Sequence, residues 1–224
     1  MRRFIDLHLV PSPGKGRVLV RRAAELGYAG VAVAGEPMED VGGIEVYTRI
    51  NLEPRNQQQL MDQLNRVRRS YTVVSVTCTT KSVARQAAKD HRVDVVRFPT
   101  DHRRRSVGMD RQQAALAADS GCSYEVVASD LMAQEPAILE QTLRTIRREM
   151  SNSIKHNVPV VLSSGACTLN GLRDPRGMAS LMNLLGVGEE EALDMVSTNP
   201  WTLVERNREK LSGRIVLPGV VKVE

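Results

Sequence analysis

Short runs rich in valine and isoleucine alternate with helix-like patterns along most of the chain, and this alternation constrains the fold more than any other feature. Several runs are apolar on both faces, as strands covered by helices on each side are. Candidate strands cover residues 4–10, 30–34, 44–50, 71–77, 93–98, 124–129 and 158–163, and candidate helices cover 16–26, 57–69, 82–91, 110–120 and 136–156. Alternation of this kind indicates a parallel sheet. The sequence therefore predicts an α/β fold, a TIM-like (β/α) barrel of about seven parallel strands, rather than an open doubly wound sheet.

Extra helices with clear start signals are predicted near the C-terminus. Asp174 is placed to cap the first of them, with Pro175 at its first position. Glu189 begins a run of three glutamates that opens the second, where the helix dipole favours negative charge. Asn199, followed by a proline, starts the third. Residues 214–224 alternate weakly and are predicted to form either an edge strand or an extension.

The chain is predicted to form one barrel domain over residues 1–224, because no linker, repeat or low-complexity tract divides it. No apolar run reaches the ~18 residues that a membrane span needs. The first residues, MRRFIDLHLVPSPG, lack the apolar core of a signal peptide. We therefore expect a cytoplasmic protein with no membrane partner. Its cysteines, Cys78, Cys122 and Cys167, are isolated from one another, so buried or partly buried free thiols are expected.

The positive charge of the chain is concentrated in one segment. Residues 66–111 carry a net charge of +8, whereas residues 1–65 are neutral and residues 112–224 carry −3. Arginine makes up 25 of the 31 cationic residues. A bias toward arginine codons would explain that ratio but not the clustering. Guanidinium groups grip phosphate oxygens two at a time, so the segment predicts a face that binds a polyanion.

Few acid or base groups lie where a barrel would place its chemistry, at the carboxyl ends of the strands. Asp6 and His8 resemble the first metal motif of the polymerase-and-histidinol-phosphatase (PHP) phosphoesterases, but that motif opens with two histidines. A multinuclear metal site needs several converging histidines and carboxylates. We therefore predict no metal and no catalytic residue, with a stand-alone, metal-dependent PHP-type phosphoesterase as the alternative. The predicted strand ends are occupied by His8, Arg49, Thr77, Arg97, Asp130, Ser163 and Ser164. His8, Arg49, Ser163 and Ser164 are predicted to line the barrel mouth.

A Ser-Ser-Gly turn follows the last predicted strand. A nucleophile elbow needs Gly-x-Ser-x-Gly with a histidine base, and here the first glycine is missing. The turn, Ser163 to Gly165, is therefore predicted to bind an anion or simply to reverse the chain. No phosphate-binding or dinucleotide-binding glycine motif occurs elsewhere.

The basic segment is the strongest candidate for a functional surface. A solvated helix face would explain any one of its cations, but the consecutive charges of Arg103, Arg104 and Arg105 repel each other unless an anion is near. Arg85, Lys89 and Arg92 are spaced to share one exposed helix face. Because aromatic residues are scarce, RNA recognition through phosphates and shape is predicted, without stacked bases. The candidate RNA-binding residues are Lys81, Arg85, Lys89, Arg92, Arg97, Arg103, Arg104, Arg105, Arg173 and Arg176.

Several blocks of the sequence resemble one family, the archaeal and eukaryotic ribonuclease P protein component 3. The resemblance extends over nearly the whole chain, in the same order, and is weakest at residues 10–38 and 54–69. The most specific part is a strand ending in VLSSGA, a helix that starts at DPR and a final helix that starts at NP. The blocks are FIDLHLV, Thr48-Arg49-Ile50, KSVARQAAKDHRVDVVRFP, Ser129-Asp130-Leu131 and PVVLSSGACTLNGLRDPRGMASLMNLLGVGEEEALDMVSTNPWTLVER.

The resemblance implies a specific role. Proteins of this family are barrels related to the PHP phosphoesterases that lack the metal ligands, which agrees with the few histidines here. The implied function is that of a subunit of the ribonucleoprotein that removes 5′ leaders from precursor tRNA. In that assembly the RNA, with its bound Mg²⁺, carries out the hydrolysis, and the protein holds no cofactor. The implied partners are ribonuclease P RNA, protein component 2, other protein subunits and, indirectly, precursor tRNA.

Overall fold

The computed structural model describes residues 2–35, 38–101, 106–132, 135–212, 215–217 and 220–221. The strands are β1 (Ile5–Leu9), β2 (Gly30–Ala34), β3 (Glu45–Leu52), β4 (Val73–Thr77), β5 (Val95–Arg97), β6 (Ser123–Val127) and β7 (Val160–Ser163). The helices are α1 (Gly16–Glu25), α2 (Gln57–Val67), α3 (Lys81–Lys89), α4 (Arg111–Ser120), α5 (Ala128–Met132), α6 (Pro136–Lys155), α7 (Pro175–Asn183), α8 (Glu189–Asp194) and α9 (Thr198–Leu211). A short antiparallel pair, β8 (Ile215–Leu217) and β9 (Val220–Val221), follows.

The first seven strands form one sheet in sequence order, and each is parallel to the next. The sheet nearly closes, because the segment after β7 meets the end of β1. Leu9 and Ala166 form an isolated parallel bridge, and the Val10 amide donates to the Ala166 carbonyl at 2.9 Å. The closure therefore rests on a few contacts instead of a full ladder between β1 and β7.

β1 contains a register shift next to His8. Asp6 pairs with Val31 and Leu9 pairs with Val33, so β1 has one more residue than β2 between these two pairs. An extra residue of this kind re-aims the side chains beside it. The His8 ring consequently reaches the inside of the barrel, where it meets Asn51.

Helix α9 closes the amino end of the barrel. Its Leu203 and Val204 are buried against apolar residues from β1, β2, β3, β4, β5 and β7. The Asn207 amide donates to the Thr72 carbonyl just before β4 at 2.9 Å, and Arg206 donates to the Gly121 carbonyl just before β6 at 2.7 Å. A second, larger core lies outside the strands, under α2, α3, α4, α6 and α7. Apolar side chains therefore fill both the amino end of the barrel and the space between the strands and the outer helices.

The predicted fold class is confirmed, and the ends of the seven predicted strands and five predicted barrel helices lie within two residues of the observed ones. Asp174 caps α7 by accepting from the Arg176 and Gly177 amides, as predicted. Residues 128–129 were predicted as strand but begin α5, which also contains Asp130. Among the described residues no helix is both long and apolar enough to cross a membrane. The extent of a single domain over residues 1–224 stays a prediction.

Candidate functional site

A buried ion pair occupies the interior of the barrel. Arg49 of β3 and Glu125 of β6 are both 0% exposed, and two parallel hydrogen bonds of 2.7 and 2.6 Å join them. Arg49 also donates to the Leu7 carbonyl at 2.6 Å and to Asn51 Oδ1 at 2.7 Å. The Ser163 hydroxyl donates to Glu125 at 2.7 Å. All the guanidinium nitrogens are therefore engaged, as a buried charge requires.

The charges around Glu125 settle its protonation state. Burial alone would raise the pKa of this carboxyl, but the adjacent Arg49 guanidinium outweighs burial and lowers the pKa to about 2. His8 Nδ1 lies 3.7 Å from the same carboxylate. Burial and then the charge of Arg49 lower the pKa of His8 to about 3. His8 is therefore neutral at pH 7, with its Nε2 3.0 Å from the Asn51 amide.

Asp6 connects the two ends of the sheet. Its Oδ1 accepts from the backbone amides of His8 at 3.0 Å and Ser164 at 3.1 Å, which lie in β1 and just after β7. Burial raises the pKa of the Asp6 carboxyl to about 6, although these hydrogen bonds act in the opposite direction. Asp6 therefore has a structural role: it joins β1 to the segment after β7, a junction that we call the seam of the barrel.

The predicted barrel-mouth residues, His8, Arg49, Ser163 and Ser164, are brought together, but they lie within the core. Each is at most 2% exposed. We call this set, with Asp6, Asn51 and Glu125, the barrel centre. Both Glu125 oxygens already accept from Arg49, so this carboxylate is not free to bind a cation. Within the described part of the chain, no group of three or more His, Cys, Asp or Glu side chains is placed to hold a metal ion.

Sequence reasoning missed Glu125 and Asn51. Glu125 lies between Tyr124 and Val126 in a wholly buried strand, and a carboxylate in such a strand is a signal for a buried partner. Asn51 was missed because β3 was predicted to end at residue 50, whereas it continues to Leu52. Arg49, the partner of Glu125, and His8, one partner of Asn51, are distant in sequence, so only the folded sheet brings these pairs together.

The basic residues on and near α3 differ in how free their charges are. Lys81 and Lys89 are exposed, and no carboxylate partner is found for them among the described residues. Arg85 pairs with Asp110 at 2.7 Å, and Arg92 pairs with Asp90 at 2.7 Å. Arg92 lies beyond the end of α3, so the predicted shared helix face of Arg85, Lys89 and Arg92 is wrong.

The other candidate RNA-binding residues lie in different surroundings. Arg97 pairs with Asp130 at 2.9 Å, and its side chain is 16% exposed. Arg173 and Arg176 are exposed, and Arg173 donates to the Asn170 and Leu172 carbonyls. Arg103, Arg104 and Arg105 lie outside the described residues. The candidates that combine exposure with no carboxylate partner in the described chain are therefore Lys81, Lys89, Arg173 and Arg176.

The fold and the site define a class of protein: a (β/α) barrel whose interior is occupied by its own ion pair and whose outer helices carry exposed cations. A model of the RNase P subunit p30 family matches residues 3–212. The chain therefore belongs to the RNase P subunit p30 family, whose members are protein subunits of ribonuclease P. The resemblance found in the sequence is confirmed.

Individual relatives agree with this assignment. Ribonuclease P protein component 3 of Methanosarcina mazei is 27% identical over 212 residues, covering 90% of this chain and 88% of the relative. The protein of the same name from Methanosarcina acetivorans is 27% identical over 218 residues, covering 92% and 90%.

Solved structures share the fold. A chain in a cryo-EM structure of archaeal ribonuclease P with mature tRNA has a TM-score of 0.82 at 19% identity, covering 98% of this chain and 97% of that one. A. niger ochratoxinase has a TM-score of 0.63 at 12% identity, covering 91% and 71%. At these identities the similarity concerns the barrel alone.

Proposed function

We propose that this chain supports the catalytic RNA of ribonuclease P in removing the 5′ leader from precursor tRNA, and that it does so as a partner of protein component 2. The observation that carries the proposal is the family match over residues 3–212. Methanosarcina relatives that cover about nine-tenths of this chain are named as ribonuclease P protein component 3. The chemistry is assigned to the RNA and its Mg²⁺, and the isolated protein is proposed to be inactive and free of a metal of its own.

The barrel centre supports an inactive protein. His8 is neutral, 2% exposed and enclosed by the strands, so a substrate does not reach it. Glu125 is ionised and held by Arg49, and is therefore a poor general base. A hydrolase needs an accessible acid or base near the reacting atom. The same residues instead hold β1, β3, β6 and β7 together.

In this proposal, the exposed cations neutralise phosphates of the RNA. Folded RNA brings phosphates close together, and Lys and Arg side chains that replace counterions lower the free energy of that packing. Lys81 and Lys89 of α3 and Arg173 and Arg176 near α7 are exposed, and no carboxylate of the described chain forms an ion pair with them. We propose that these residues contact phosphates of ribonuclease P RNA and thereby reduce the Mg²⁺ concentration that cleavage needs.

The test is cleavage of precursor tRNA by ribonuclease P RNA with component 2, with and without this protein, at low Mg²⁺. Cleavage that is restored only when this protein is added supports the proposal, and an unrelated structured RNA added as competitor should not abolish it. His8→Ala is expected to leave the reconstituted activity within a few-fold of the wild type. Stoichiometric metal in the purified protein, hydrolysis without RNA, or loss of activity in a folded His8→Ala variant would instead favour a PHP-type phosphoesterase.

A further inference from the structure

A groove lies between the segment that leads into α4 and one face of α6. It has a volume of about 820 Å³. One wall is formed by Thr100 and residues 106–111. On the other wall, α6 residues from Ile138 to Asn152 line the groove at intervals of three or four positions, which is one face of a helix. At 1.5 Å per residue, this face is about 21 Å long.

Among the described residues of the groove, the charges without an ion-pair partner are positive. Arg111 and Arg148 line it, both are exposed, and neither has a carboxylate partner in the described part of the chain. The two acids beside them are already engaged. Asp110 caps α4 and pairs with Arg85 at 2.7 Å, while Glu149 is 2% exposed and accepts from the Tyr124 hydroxyl at 2.8 Å.

We propose that this groove binds the sugar–phosphate backbone of an RNA strand, with Arg111 and Arg148 on successive parts of the strand. The inference rests on the proposed function and adds α6 to the RNA-contacting surface. Two free guanidinium groups suit phosphate oxygens, and the amide of Gln141 can donate to a phosphate or a 2′-hydroxyl. A protein segment fits less well, because Ile138, at 48%, is the only large apolar lining residue that the described structure leaves exposed.

The groove also lies beside α3, which carries the exposed cations Lys81 and Lys89. Arg85 of α3 donates to Asp110, the N-cap of α4, at 2.7 Å and to Gln113 of α4 at 2.8 Å. This pair of contacts fixes α3 beside the start of α4, where Arg111 begins the helix. An RNA strand in the groove would therefore lie next to the phosphates that the exposed cations of α3 bind.

The first experiment compares the salt dependence of binding to ribonuclease P RNA for the wild type and an Arg111→Ala/Arg148→Ala variant. Each phosphate contact contributes about 0.7–0.9 to the slope of log K against log salt, so the variant should lose about 1.4–1.8. The matched control is Arg147→Ala. It removes one positive charge, at the position of α6 next to Arg148, but that side chain lies beside Gly186, away from the groove. A control that lowers the slope as much as the double variant overturns the proposal.

A second variant tests the groove without changing charge. Thr145→Trp fills the middle of the groove and should weaken RNA binding at least several-fold while circular dichroism stays unchanged. Wild-type binding in a folded Thr145→Trp variant overturns the proposal. So does loss of component 2 binding with RNA binding intact in the Arg111→Ala/Arg148→Ala variant, since the groove would then hold protein. If the wild type itself does not stimulate cleavage, the proposed function has failed; if it does and the double variant matches Arg147→Ala, only the groove has failed.

Discussion

Arg49 is the largest of the fully buried side chains in the described structure. A guanidinium inside a barrel is tolerated only when its nitrogens have acceptors, and here Glu125, Asn51 and the Leu7 carbonyl engage all three of them. Glu125 depends on Arg49 in turn, since burial would otherwise drive its carboxyl toward the neutral form. The two residues therefore act as one unit that joins β3 to β6.

Replacing Arg49 alone should destabilise the protein strongly. Arg49→Met leaves the Glu125 carboxylate buried without its counter-charge, and removal of one partner of such a pair costs roughly 3–5 kcal/mol. The expected result is a fall of that order in the free energy of unfolding, measured by urea denaturation at pH 7. Adding Glu125→Gln removes the orphaned charge and should recover part of the loss.

The exposed ion pair of Arg144 with Glu140 provides the control, because such a pair contributes little to the free energy of unfolding. Arg144 pairs with Glu140 one turn away on α6, and both side chains are more than 70% exposed. Arg144→Ala should cost no more than about 0.5 kcal/mol, because water screens the pair. Equal losses from Arg49→Met and Arg144→Ala would refute the view that the barrel centre is held by its ion pair.

At the residue scale, sequence reasoning located part of the barrel centre. His8, Arg49 and Ser163 were identified because the carboxyl ends of parallel strands lie at the same face of a barrel. Their burial was not predictable, because it depends on the depth at which neighbouring strands pair. Glu125 was missed because its partner Arg49 lies 76 residues earlier in the chain, so their contact depends on how the strands assemble.

At the scale of elements, the end of α3 shows how one side chain sets a boundary. The helix was predicted to continue to residue 91, but the Asp90 carboxylate accepts from the Arg92 amide at 3.1 Å and α3 ends at Lys89. Asp side chains compete with helix hydrogen bonds in this way. Arg92 is consequently turned back onto Asp90 and Asn65 and leaves the line of exposed cations.

This geometry predicts unequal contributions to RNA binding along α3. Lys81→Ala/Lys89→Ala removes two exposed cations and should reduce the slope of log K against log salt by about 1.4–1.8 for ribonuclease P RNA. Arg92→Ala removes a cation already paired with Asp90 at 2.7 Å and should change the slope by less than half as much. The measurement is a binding titration at four or more salt concentrations.

The matched control keeps the charge on α3. Lys81→Arg/Lys89→Arg should retain the wild-type slope, because both replacement side chains still neutralise phosphates. A larger effect of Arg92→Ala than of the double lysine variant would show that ion pairing within the protein does not decide which cations meet RNA.

The whole molecule is a barrel closed at a seam. The alternation of strand and helix patterns was enough to predict seven parallel strands, because each unit is local in sequence. The seam was not predictable, since it joins β1 to the segment after β7, more than 150 residues later. Its contacts are the bridge of Leu9 to Ala166 and the hydrogen bond from the Ser164 amide to Asp6.

The stability of this closed barrel should depend on pH in a way that Asp6 controls. The pKa of Asp6 is raised from 3.8 to about 6, so its contribution is fully present below pH 3.8 and is lost as pH rises to 6. The pKa values of His8 and Glu125 are lowered, from 6.5 to about 3 and from 4.5 to about 2, so their contributions are lost as pH falls through those ranges. The Asp6 contribution therefore opposes that of His8 between pH 4 and 6, whereas the Glu125 contribution changes mainly below pH 4.5.

Asp6→Asn isolates this contribution, since it keeps an oxygen for the Ser164 amide and removes the buried charge. The free energy of unfolding of the variant minus that of the wild type should increase between pH 4 and 6.5 and then stay constant. At 1.36 kcal/mol per pKa unit, the increase is at most about 3 kcal/mol. Urea denaturation at pH 4, 5, 6 and 8 measures it, with Asp119→Asn on the exposed side of α4 as the control. A difference that is the same at every pH would mean that Asp6 is no harder to ionise in the folded barrel than in the unfolded chain, because its hydrogen bonds offset the cost of burial.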